Sequence, residues 1–160
     1  MNIKASKRFT IIIFALTAAV IAFAFIHSSM PADVSQEESV GVLDFLVRIL
    51  KALGLSAELT DHIVRKAAHF TEFTAMGMLF TSCAYCFDRL RPYRFTSQIM
   101  LAGLSTAVID ETIQLFVDGR AGMIKDVLLD FSGVVTGFAV MLAFYLIYIR
   151  IRKRKQGEDK

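Results

Sequence analysis

Apolar residues dominate four stretches of this chain, Phe9–Ile26, Ala67–Phe87, Ser97–Val117 and Val127–Ile149. Each comes near the roughly 20 mostly apolar residues that a membrane-crossing helix needs. The pattern predicts an all-α membrane protein, a four-helix transmembrane bundle forming one domain over 1–160. Between the first two stretches the pattern changes. Asp44, Arg48 and Lys51 make a narrow polar stripe over 40–53, with Leu43, Leu46, Val47 and Leu50 around it. That spacing predicts a short amphipathic helix on the outer side, either packing over the bundle or covering a site. Gly54 can end it, and Thr60 or Asp61 can cap the next helix. Arg91-Pro92 is a stop and restart, and Asp118-Gly119-Arg120-Ala121-Gly122 is a turn-rich hinge.

Three charged clusters break the greasy segments: Arg65 to Glu72, Asp110 to Gln114, and Arg120 through Asp126 to Asp130. Ionisable groups inside a bilayer are costly, so they are functional suspects. Helical spacing puts Gly103, Ala107, Asp110 and Gln114 on one face. Asp126, Asp130, Gly133 and Gly137 share another, and Arg65, His69, Glu72 and Met76 a third. Small residues let helices approach closely, so the acids on these stripes are expected to point into the bundle.

Composition agrees with the segments. The chain of 160 residues is 55% hydrophobic, above the roughly 45–50% of a soluble domain. Its mean hydropathy is +0.54. The net charge of +3 does not point to nucleic acid, because the basic residues fall at segment ends. Lys4, Lys7 and Arg8 precede the first segment, and Arg89, Arg91 and Arg94 lie between the second and third. Arg150, Arg152, Lys153, Arg154 and Lys155 begin a basic tail over 150–160. Lys and Arg favour the cytoplasm. The expectation is therefore a multi-pass plasma-membrane protein with both termini cytoplasmic and all three charged clusters at the outer face. A signal peptide is the competing reading of the first segment, with Ala22-Phe23-Ala24 as a loose cleavage site, but its apolar core is long for one. Tyr145 and Tyr148 are expected in a cytoplasmic aromatic belt. The C-x-x-C pair Cys83 and Cys86 has no second pair and reads as packing.

The candidate chemistry follows from the clusters. His69, Glu72, Asp110, Glu111, Asp126 and Asp130 are the candidate acid and base groups. Arg65, Lys66, Gln114 and Arg120 are the candidate substrate-binding groups, since guanidinium matches phosphate bidentately. No nucleophile carries a signature, although Thr71 and Ser132 are near. No cofactor is expected. A lone His without a compact ligand motif gives no metal assignment. Three readings stay open: a polar network fixing helix register, a catalytic centre, and a binding site for a lipid headgroup. A transporter would be small at four spans.

These motifs resemble the VanZ-like family of bacterial membrane proteins. Three carry the resemblance: Arg65-Lys66-Ala67-Ala68-His69-Phe70-Thr71-Glu72-Phe73, Asp110-Glu111 with Gln114 and Phe116, and Gly119-Arg120 with Asp126, Asp130, Gly133 and Gly137. His27-Ser28-Ser29, with Ser35 and Ser39, is similar to that family's Ser-dotted outer segment. Phe73 stands where the family often has Tyr, and Asp130 where many members have Asn. The resemblance implies a cell-envelope role, and the family's namesake is associated with low-level resistance to teicoplanin-type glycopeptides. It supplies no mechanism. The expected partners are membrane lipids, a lipid-linked wall precursor, or an envelope enzyme that the chain would serve as an accessory.

Overall fold

The computed structural model describes residues 5–31 and 60–158, and the expected amphipathic helix at 40–53 lies outside them. Four α-helices are described: α1 Lys7–Ser28, α2 Asp61–Phe87, α3 Thr96–Gln114 and α4 Ile124–Glu158. Their boundaries have local causes. Ser6 caps α1 by accepting from Phe9 N, and Thr60 caps α2 by accepting from Ile63 N. After α2 the Asp88 carboxylate accepts from Leu90 N and Arg91 N, both at 3.1 Å. This side-chain turn leads into the 3-10 turn Pro92–Phe95, where Pro sits at a position that needs no N–H. Gly119 takes φ 74° in the hinge between α3 and α4, a left-handed conformation that suits glycine. The last helix runs well past the Ile149 end of its apolar stretch. Its Arg-rich continuation is made of good helix formers, and cations suit a helix C-terminus.

Of these helices, α1 and the Ile124–Arg152 part of α4 are long and apolar enough to cross a membrane. The other two hold most of the acids and bases described below, which lowers their apolarity. Backbone closeness organises the bundle. A side chain at Gly133 would come within 2.7 Å of the Phe70 carbonyl oxygen on α2, and Gly137 sits as tightly against Thr74. Val134 of α4 is wholly buried, its carbonyl against Gly77 of α2 and its side chain against Gly103 of α3. Ala24, Phe73, Met76, Ala107 and Val134 form the core around these crossings. Phe73 belongs to this core and is fully buried.

Leu101, Leu128, Phe144 and Ile147 face outward from α3 and α4. The expected aromatic belt is corrected at Tyr145, which is buried. Its ring stacks on Tyr85 at 3.9 Å and its hydroxyl donates to Ser82 Oγ at 3.0 Å. A one-helix reading of spacing cannot see that α2 offers both a ring and an acceptor there. Cys83 and Cys86 are free thiols, and Cys83 Sγ lies 3.4 Å from Thr17 Oγ1 of α1. Cys86 is buried and Cys83 partly buried.

Candidate functional site

The C-terminal ends of α1 and α3 meet the N-terminal ends of α2 and α4 at one end of the bundle. A cavity of about 210 Å³ opens there. Arg65, Lys66, His69, Glu111, Gln114, Arg120, Asp126 and Asp130 all line it. Eight of the ten sequence-derived candidates therefore share one cavity. Asp110 lies behind this wall and is fully buried. Glu72, one turn below His69, is half-buried and does not line the cavity.

Local helix phase brings the groups together, and hydrogen bonds then sort their roles. Asp110 is held on both oxygens: Ser28 Oγ donates to Oδ1 at 2.7 Å, and Gln114 Nε2 donates to Oδ2 at 3.0 Å. Glu111 is committed to structure. Its Oε2 accepts from Met123 N at 2.9 Å, just before α4 begins, and its Oε1 accepts from Gln114 at 3.3 Å. That contact satisfies one of the amide groups a helix N-terminus leaves unpaired. Asp126 is held by Lys66 Nζ at 2.7 Å, across the cavity mouth from α4 to α2. Arg120 Nη2 donates to the His27 carbonyl at 3.3 Å and ties the hinge to α1.

Two acids remain under-satisfied. Asp130 is 1% exposed, and among the described residues neither of its oxygens has a hydrogen-bond partner. Glu72 Oε1 is buried and orphaned in the same way. Buried polar atoms are paired in the great majority of cases, so such orphans call for an explanation. His69 Nδ1 faces both central acids, 4.0 Å from Asp110 Oδ2 and 3.9 Å from Asp130 Oδ1. These separations are too long for hydrogen bonds.

The structure adds Ser28 and His27 to the site. Ser28 is 1% exposed at the end of α1, and the His27 ring lies 6.2 Å from that of His69. The only sequence signal for them was the Ser-dotted stretch after the first apolar segment. Thr71 and Ser132 turn away: both are exposed, and their hydroxyls donate to Ala67 O and Leu129 O of their own helices. Neither is placed as a nucleophile for the cavity.

Fold and site define a small all-helical protein, with helices consistent with a membrane protein and a charged cavity where its four helix ends meet. The chain belongs to the VanZ/LLP1 family, whose profile matches residues 12–148. The match takes in all four described helices, apart from the ends of α1 and α4, and every candidate site residue. No curated protein and no solved structure matches the chain.

Proposed function

We propose that this protein is an envelope membrane protein whose cavity opens at the outer leaflet. It takes the phosphate-bearing headgroup of a lipid-linked wall precursor or surface polymer, and so contributes to tolerance of teicoplanin-type glycopeptides. The observation that carries this reading is the cavity itself: Arg65, Lys66 and Arg120 line it beside His69. Guanidinium and ammonium groups suit phosphate, and the exposed apolar faces of α3 and α4 suit an acyl or polyprenyl chain alongside. The outward orientation rests on the basic residues, which cluster at the opposite helix ends and in the tail. Four spans with both termini inside complete the arrangement.

Within this reading, binding is favoured over covalent chemistry, because Thr71 and Ser132 spend their hydroxyls on their own backbones. The alternative is a non-enzymatic accessory for an envelope enzyme. The observation in its favour is that Glu111 and Asp126 serve as cap and ion-pair partner rather than as free acids.

Resistance scored against membrane abundance separates the two. A susceptible host expressing the wild type should gain teicoplanin tolerance. His69→Ala and Asp126→Asn should lose it at unchanged abundance. If tolerance instead tracks abundance alone across these variants, the headgroup reading fails and the accessory stands.

A further inference from the structure

The orphaned Asp130 carboxylate points to something the protein itself does not supply. Its oxygens, those of Asp110 and the His69 ring nitrogens offer donor atoms that lie within 4.8 Å of one another. The donors come from three helices, α2, α3 and α4, which is why no compact ligand motif shows in the sequence. We propose that His69, Asp110 and Asp130 hold a divalent transition-metal ion of the zinc or manganese type.

Geometry supports this. Metal–ligand bonds of about 2.0–2.2 Å at near-tetrahedral angles place donors about 3.4 Å apart. The observed 3.9 and 4.0 Å separations from His69 Nδ1 are each within about 0.6 Å of that spacing, and all three donors lie within 4.8 Å of one another. Those distances are too long for direct hydrogen bonds, yet short enough for one ion to bridge.

Chemistry supports it as well. One imidazole with two carboxylates suits zinc, manganese or iron, whereas magnesium and calcium prefer oxygen alone. Asp110 already carries the outer support that metal-binding carboxylates usually have, from Ser28 and Gln114. Asp130 lacks any such partner among the described residues, and an ion would satisfy one of its two buried, bare oxygens. Lys66, at the cavity mouth, is bound to Asp126. Three protein donors leave positions open, and His69 and Asp130 also line the cavity. The ion would therefore face whatever enters. That last step rests on the headgroup reading, but occupancy of the site does not.

The test uses untagged full-length protein in lipid nanodiscs. Samples are purified without chelator, incubated separately with Zn2+, Mn2+ or Co2+, freed of excess ion, and assayed by elemental mass spectrometry. The wild type should retain about one ion per chain with at least one of these metals. His69→Ala and Asp130→Asn should each lower that content about tenfold. Asp130→Asn removes a bare buried charge, so it leaves the bundle folded and guards against a result caused by unfolding. The visible spectrum of the Co2+ form should show ligand-field bands in the wild type and lose them in both variants. Wild-type content below about a tenth of an ion per chain with all three metals overturns the proposal. So does equal content in the wild type and Asp130→Asn. A loaded protein that ignores phosphate-bearing lipids would sink the headgroup reading alone, and a metal-free protein that binds them would sink only the metal.

Discussion

Replacing Ser28 with Ala tests whether the end of α1 is part of the site. The hydroxyl donates to Asp110 Oδ1 at 2.7 Å, across a sequence separation of 82 residues, with both partners buried. Hydrogen bonds to charged groups contribute about 1.5–3 kcal/mol. Bonds between membrane helices average nearer 0.6 kcal/mol, because the separated helices find other partners. Here the acceptor is fully buried and keeps the Gln114 hydrogen bond on its other oxygen. The loss should therefore fall between those ranges, at about 1–2 kcal/mol. Ser29→Ala is the matched control, since the exposed Ser29 hydroxyl donates only to Phe25 O of its own helix. It should change stability by less than about 0.5 kcal/mol. Reversible unfolding in bicelles by steric trapping measures both. A cycle with Asp110→Asn should show coupling of about 1 kcal/mol between Ser28 and Asp110. Equal effects of the two serine variants, or strict additivity in the cycle, would refute the claim that α1 completes the site.

Other consequences concern packing and orientation. Gly137→Ala would push a methyl group into the Thr74 backbone, so α2 and α4 must separate. The expected cost is about 1–3 kcal/mol, read as a lower unfolding midpoint, with weaker lipid binding because Asp130 shares the helix face of Gly137. For orientation, Cys83→Ser and Cys86→Ser first remove the native thiols. An impermeant maleimide should then label Asp118→Cys in intact cells but label Arg94→Cys only after lysis. The reverse pattern would turn the cavity to the cytoplasm and remove the outer-leaflet reading.

Much of the site was legible because helical phase is local. The stripe of Gly103, Ala107, Asp110 and Gln114 needs only the 3.6-residue period, and all four residues are buried. The Gly133 and Gly137 contact face followed from the same rule and lies against Phe70 and Thr74. The tertiary pairings were not legible. Spacing along one helix does not reveal that Ser28 reaches Asp110, that Tyr145 stacks on Tyr85, or that Glu111 caps α4. Each depends on the register between helices, which side-chain interlocking sets. The division of the acids into committed and orphaned groups is hidden for the same reason. Asp126 and Asp130 sit one turn apart on one helix, yet one is ion-paired to a lysine and the other has no hydrogen-bond partner among the described residues.

Lipid binding measures the central claim most directly. Native mass spectrometry of the protein released from nanodiscs would compare undecaprenyl phosphate and diphosphate with unphosphorylated undecaprenol. The cavity account predicts retention of the phosphorylated lipids over the alcohol. It also predicts a loss of about tenfold, or about 1.4 kcal/mol, when Arg65→Gln and Arg120→Gln are combined. Equal retention of the alcohol and its phosphates, or no change in the double variant, would contradict it.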